Sequence, residues 1–304
     1  MKKTNKIPAL WIDTDPGIDD GFCLIAAYEM DQFEVVGISS VNGNVDVQQA
    51  TKNIFYILEQ LDWEIPVYEG EAHPLSEEVL ERGVHGNTGL GYLDPDQEGI
   101  IADPEEISAI DGIYQTAKEL GQMDILAIGP LTNIAMALEK YPDLPEYIGE
   151  VIIMGGELGK GNVTAFAEFN FYIDPVAVNR VLEAFDCRVL GLNITETMGF
   201  TSKDRQWFDD ILGKKGEVLR SFLDYVIEYR EIDGEILPVH DLYALYAYAY
   251  QTAVIYDEKK VKIIEKGEKR GAVETNEKGY TTLFGIEGNF EHFHRFMKEV
   301  FLGK

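Results

Sequence analysis

Through its first two-thirds the chain repeats one rhythm, a short apolar run followed by an amphipathic helical stretch. That rhythm constrains the fold more than any single motif. Apolar runs at 9–13, 33–41, 66–68, 123–128, 150–154 and 187–192 have the length and character of buried strands. Between them, 19–30, 45–61, 107–120, 131–141 and 175–185 carry helical spacing; Val176, Val178, Val181, Leu182 and Phe185 mark the last. Strands alternating with helices predict an α/β fold, a mainly parallel, Rossmann-like open sheet flanked by helices. Parallel strands all end on the same side, so the turns Asn42-Gly43-Asn44, Gly129-Pro130 and Gly155-Gly156 share one face. The Gly- and Asp-rich stretch 85–103 reads as a long loop, and at that length as a functional one. From about Ser202 the rhythm changes to helices over 202–212, 217–231 and 239–251. A β-hairpin over 261–266 and 280–286 and a terminal helix over 290–301 complete this helical elaboration. No Pro/Ser-rich linker or repeat interrupts it, so 1–304 reads as a single domain, with 45% apolar residues to build a core.

The bulk composition excludes several roles. A net charge of −28, from 54 acidic and 26 basic residues, opposes a nucleic-acid or anionic-membrane surface, because both need clustered Lys and Arg. Cys23 and Cys187 lie far apart in apolar contexts without metal-ligand spacing, and read as buried free thiols. The N-terminus shows no signal-length apolar segment, and no stretch approaches the ~20 apolar residues of a membrane span. A cytoplasmic protein is the expectation.

The chemistry is concentrated just after the first apolar run. Asp13, Asp15, Asp19 and Asp20 fall within eight residues, around the tight turn that Pro16-Gly17 imposes, with Asp19 at or near the start of the following helix. Buried strands seldom end in carboxylates without a reason, and four like charges so close repel unless a cation or a polyhydroxy ligand holds them. Further polar residues stand at other strand ends: Asn42 and Asn44, the 128–133 turn, Gly161-Asn162, Glu168 and Asn170, and His240-Asp241. Oxygen ligands drawn from separate loops suit a hard cation such as calcium, which takes about six to eight of them. The lack of Cys clusters and His pairs argues against zinc.

Six motifs in order, covering nearly the whole chain, resemble those of the inosine–uridine-preferring nucleoside hydrolases. They are Asp13-Thr14-Asp15-Pro16-Gly17-Ile18-Asp19-Asp20, Asn42-Gly43-Asn44, 129–135, 153–156, Ala167-Glu168-Phe169-Asn170 with Asp174-Pro175, and Val239-His240-Asp241. The resemblance implies hydrolysis of the N-glycosidic bond of ribonucleosides (inosine, uridine, cytidine type) to ribose and free base. It implies a catalytic Ca2+ held by Asp15, Asp20, Asp241 and the main-chain carbonyl of Ile128, with Asp15 also taking a proton from a metal-bound water. Asp19, Asn44, Asn162, Glu168 and Asn170 match residues that hold the ribose, and Met154 an apolar contact under the sugar. His240 matches the group placed beside the leaving base, which it is able to protonate because histidine titrates near neutrality. A homodimer or homotetramer is implied as well. Gly21 departs from the family, where a small Ala is usual, and by itself weakens the helix start.

Plainer readings stand beside these. Asn44 has the character of a turn residue, Asp241 of a helix cap, and Glu168 of a surface charge. His85 is read as lining the pocket, against a role confined to its loop. Tyr225 and Tyr229 are candidates for stacking on a base, yet they belong to a helical aromatic population with Tyr243, Tyr246, Tyr248 and Tyr250 of the kind that more often packs a core. The rival enzyme is a haloacid-dehalogenase-like magnesium phosphatase, with Asp13 as nucleophile and Asp15 two residues on. Gly17 in place of Thr or Val, and no placeable Lys or acidic pair, count against it. A calcium-dependent sugar-binding module without catalysis is disfavoured by an intact Asp15 and His240.

Overall fold

The computed structural model describes residues 7–77, 85–230 and 236–303. Strands β1 (Ala9–Thr14), β2 (Glu34–Ser40), β3 (Val67–Tyr68), β4 (Met123–Ala127), β5 (Ile148–Met154) and β6 (Cys187–Leu190) run parallel. Two short strands, β7 (Gly199–Thr201) and β8 (Ile236–Pro238), pair with each other apart from the main sheet. Strands β9 (Val254–Ile263), β10 (Val273–Thr275) and β11 (Tyr280–Gly288) extend the main sheet, whose order is β10-β9-β11-β6-β5-β4-β1-β2-β3. The helices are α1 (Ile18–Glu29), α2 (Val47–Leu61), α3 (Ala109–Leu120), α4 (Thr132–Lys140), α5 (Phe169–Ile173), α6 (Pro175–Ala184), α7 (Leu192–Thr195), α8 (Gly213–Arg230), α9 (His240–Ala249) and α10 (Phe290–Leu302).

The period-two alternation of a strand feeds two cores at once. Leu10 and Ile12 of β1, Leu126 of β4 and Ile152 of β5 pack with α1, α2, α8, α9 and α10. Trp11, Ile125, Ala127, Val151 and Ile153 turn to the other face and pack with α3, α4 and α6. On the first face Phe22, Phe200, Phe208, Phe222 and Phe301 form one aromatic cluster, with centroid separations from 5.0 to 6.4 Å. Truncating one such ring to Ala typically costs about 3–5 kcal/mol. Gly21 belongs to this cluster: a Cβ there would lie 2.4 Å from the Phe222 ring, so its absence admits α8 against α1 and is more than a weakened helix start.

Three elements differ from expectation. The C-terminal hairpin is part of the main sheet, because β11 pairs parallel with β6 (Leu283 with Arg188, Phe284 with Val189) and antiparallel with β9. The run Asp257-Glu258-Lys259-Lys260 disguises the first half of β9, whose pairing begins at Val254. Over 202–212 the chain forms a 3-10 helix, Ser202–Phe208, rather than an α-helix. Arg220 Nη1 donates to the carbonyls of Phe208 (2.6 Å) and Ile211 (2.9 Å), which takes the acceptors that further helix would need. The helix expected over 217–231 starts earlier, at Gly213, and Glu231 lies outside the described residues.

Candidate active site

The strand order reverses direction between β1 and β4: from β1 the chain moves to β2 and β3 on one side, then returns to β4, β5 and β6 on the other. Loops leaving the carboxyl ends of β1 and β4 therefore part, and a crevice opens at this switch point. A cavity of about 650 Å³ occupies it. Its lining includes Asp19, Asn44, His85, Ile128, Met154, Asn162, Glu168, Asn170, His240 and Asp241. Those ten positions, spread over more than 220 residues of sequence, are all candidates named above. Asp15 and Asp20 sit behind the wall, each 1% exposed.

The acidic turn divides its labour by alternation and cap geometry. Asp13 points to the α4 face and accepts hydrogen bonds from Ser39 Oγ and from Asn133 Nδ2 (2.7 Å), with its Oδ2 buried and unpartnered. Burial raises its pKa to about 7. Asp13 Oδ1 is taken up by Ser39 and Asn133 on the side of the sheet away from the acidic cluster, which counts against Asp13 as a nucleophile and against the phosphatase reading. Asp15 Oδ2 accepts from the Asn44 backbone N–H at 2.7 Å, while Oδ1 is buried without a partner. Two glycines make room for this carboxylate. A Cβ on Gly43 would lie 1.9 Å from Oδ2, and one on Gly129 2.8 Å from Oδ1. Asp20 accepts from Thr14 Oγ1 (2.5 Å) and from the Gly17 N–H (2.9 Å), closing a box at the start of α1.

Asp19 and Asp20 on α1 and Asp241 on α9 bring oxygen atoms within 4.8 Å of one another. Burial pushes Asp15 and Asp241 well above the usual carboxylate range, and the neighbouring Asp19 and Asp20 charges push further; the same causes raise Asp20 to about 6. Carboxylates held together at such a cost suit a bound positive charge, which would favour their ionised forms. The donors fit a hard cation: all are oxygens, one buried and unpartnered, and Ile128, whose carbonyl accepts from Asn170 Nδ2, lines the same cavity.

The end of β5 and helix α5 with its N-cap present Met154, Glu168 and Asn170 to the same cavity. Glu168 is the N-cap of α5, accepting from the N–H groups of Asn170 (2.8 Å), Phe171 (3.1 Å) and Gly156 (2.8 Å), and burial raises its pKa to about 7. Asn170 Nδ2 donates to the carbonyls of Ile128 (2.9 Å) and Met154 (3.1 Å), tying α5 to the ends of two strands, β4 and β5. His85 Nδ1 accepts from the Ile18 N–H at 3.2 Å, which puts the proton of the neutral ring on Nε2, 3.7 Å from Asp19. His85 lines the cavity.

His240 opens α9, with Nδ1 2.7 Å from Thr195 Oγ1. Thr195, fully buried at the end of α7, was not singled out in the sequence, where Asn193-Ile194-Thr195-Glu196 looks like an ordinary turn; Glu196 also lines the cavity. Tyr225 and Tyr229 line the cavity and stack at 5.8 Å, Tyr229 being 55% exposed, whereas Tyr243 and Tyr246 are core. Ile18, Phe22, Phe200, Leu223 and Leu237 complete an apolar wall.

Comparison with known proteins follows the same lines. The family model described as inosine-uridine preferring nucleoside hydrolase matches residues 10–294. The pyrimidine-specific ribonucleoside hydrolase RihA of Salmonella paratyphi C is 33% identical over 238 residues, covering 76% of this chain and 76% of that protein. The solved structure of a plant nucleoside hydrolase superposes with a TM-score of 0.91 at 29% identity, over 98% of this chain and 100% of the other. That of a purine-preferring ribonucleoside hydrolase from Gardnerella vaginalis gives 0.89 at 26% identity, over 97% and 98%.

Proposed function

The chain belongs to the inosine-uridine preferring nucleoside hydrolase family and is a ribonucleoside hydrolase; on that premise we propose that it uses calcium to cleave nucleosides of the inosine, uridine and cytidine type. Asp15, Asp20, Asp241 and the Ile128 carbonyl would hold the ion. The observation that carries this reading is the unpartnered, buried Asp15 Oδ1 behind the cavity wall, next to the Asp19–Asp20–Asp241 cluster of which Asp19 and Asp241 line the cavity. Bound there, calcium would supply the positive charge that acidifies an attacking water and favours the sugar hydroxyls. Asp15 takes the proton of that water on Oδ1, its Oδ2 being held by the Asn44 N–H. Nearby positive charge keeps Asp15 ionised, so it acts as a base through geometry and not through a raised pKa.

Asp19, Asn44, Asn162, Glu168 and Asn170 hold the ribose, with Met154 against its apolar face. Cleavage passes through an oxocarbenium-like sugar, and preorganised carboxylates and amide oxygens around it favour that positive charge. His240 protonates the departing base, its ring oriented by Thr195 Oγ1 on Nδ1. His85 closes the wall beside Asp19. The enzyme works as one domain per chain in a cytoplasmic homodimer or homotetramer. Release of base from inosine, uridine and cytidine, abolished by a chelator and restored by calcium, tests the reading; turnover that survives exhaustive chelation contradicts it.

A further inference from the structure

We propose that Arg270, outside the cavity, is a positioning residue: the turn between β9 and β10 straps helix α5 in place through its guanidinium and thereby sets ribose affinity. The inference rests on the reading that α5 carries Glu168 and Asn170 to the ribose.

Helix α5 has five residues, Phe169–Ile173, so it is almost all termini. Its N-terminal N–H groups are taken by Glu168, but its last carbonyls lack partners within the helix, since the chain turns at Asp174 into the separate helix α6. Arg270 supplies what is missing. Its Nε donates to the Tyr172 carbonyl and its Nη2 to the Ile173 carbonyl, both at 2.8 Å, and the guanidinium sits 5.5 Å from the centre of the Tyr172 ring. The residue is 7% exposed, and no carboxylate forms an ion pair with it among the described residues. A buried cation without an anionic partner is costly. Here two carbonyls at a helix C-terminus provide the compensating negative end.

The turn that bears Arg270 is itself held on both sides. Gly271 (φ +80°) donates to the Ile264 carbonyl at 2.7 Å, and Ala272 to that of Lys269 at 3.0 Å. Asn179 of α6 exchanges hydrogen bonds of 2.9 Å with Ile263 in both directions. The turn also lies directly on α5: a Cβ on Gly271 would stand 2.7 Å from Tyr172 Cα and 3.0 Å from Ala167 Cβ. One rigid turn thus fixes the far end of a helix whose near end holds two residues of the cavity.

A double-mutant cycle on the calcium-loaded enzyme separates positioning from general support. Asn170→Ala should lower kcat/KM for uridine about 100-fold, and Arg270→Met at least about 10-fold. If Arg270 acts through α5, the double variant should be little worse than Asn170→Ala alone, and Arg270→Met should add nothing to whatever calcium affinity Asn170→Ala loses by freeing the Ile128 carbonyl. Arg270→Lys should recover part of the loss, one ammonium replacing a fork that reaches two carbonyls. Gly271→Ala, which pushes the turn off α5, provides a second route should Arg270→Met fail to fold, and it should be non-additive with Asn170→Ala in the same way. Losses that multiply, or wild-type kcat/KM in Arg270→Met and Gly271→Ala while Asn170→Ala is impaired, overturn the strap. A neutral Asn170→Ala overturns instead the ribose assignment of α5, and the strap with it.

Discussion

Gly43→Ala isolates the placement of Asp15 without replacing any candidate functional side chain. Gly43 lies outside the left-handed region, so its backbone accepts alanine, and the whole consequence is steric. The new Cβ would stand 1.9 Å from Asp15 Oδ2 and 2.7 Å from Cγ, whereas ordinary contact begins at 3.4 Å. Relief therefore requires about 1.5 Å of movement, the difference between those two oxygen distances. Gly129, on the other side, blocks retreat of the carboxylate, since Asp15 Oδ1 already comes within 2.8 Å of where a Cβ would be. The Asn44 N–H, which donates to Oδ2 at 2.7 Å, is adjacent to the substitution and shifts with it. A misplacement of about 1 Å in a reacting group can cost ~10²-fold, so kcat/KM should fall at least ~100-fold, about 2.7 kcal/mol of barrier. Steady-state hydrolysis of uridine, calcium titration calorimetry and a native circular dichroism spectrum together make the assay. A folded Gly43→Ala enzyme retaining more than about a third of wild-type kcat/KM would refute the idea that this carboxylate must sit where it does.

Three further outcomes follow from the same geometry. 2′-Deoxynucleosides should be far poorer substrates than ribonucleosides, because Asp19 and Asn44 would face an absent hydroxyl in a dry site; equal kcat/KM for uridine and deoxyuridine would contradict the ribose pocket. His240→Ala should slow nucleosides by ~10²-fold yet leave p-nitrophenyl riboside nearly unaffected, since that phenolate leaves without a proton; equal slowing of both, with calcium still bound, would reduce His240 to positioning. In chelator, stability should fall as pH rises from 5.5 to 7.5. The native state there still binds protons at Asp20 (about 6), Asp13 and Glu168 (about 7), which the unfolded chain has already released. Calcium should oppose this decline, and a melting temperature that stays flat or climbs in chelator over that window would count against the buried acidic cluster.

The parts of the molecule that were legible in the sequence are those whose burial is symmetrical. Strands covered on both faces, such as β1, β4 and β5, read as unbroken apolar runs, and their ends point at once to the crevice. Asp15 and Asp20 stood out because four carboxylates packed into one turn after an apolar strand call for a compensating charge. Asp241, by itself a helix-cap residue, was reached only through the family resemblance. Less was visible where a short element depends on distant partners. Helix α5 exists because Glu168 and Arg270 satisfy its two ends from opposite sides, and nothing in Phe169–Ile173 itself announces a helix. Thr195 had no local signal, since its role arises only where α7 meets α9. The tyrosines divided for a similar reason: Tyr243 and Tyr246 face the core from α9, while Tyr225 and Tyr229 stand on the side of α8 that the cavity exposes.

Replacement of Asp15 by alanine tests the central claim most directly, because one carboxylate is assigned both to the ion and to the proton of the attacking water. Calcium binding and uridine turnover are measured on the same folded preparation. The expected result is weakened calcium affinity together with kcat below about a tenth of wild type even at saturating calcium, a barrier increase above ~1.4 kcal/mol. An Asp15→Ala enzyme that binds calcium as tightly as wild type, or turns over uridine at more than that fraction, would contradict it.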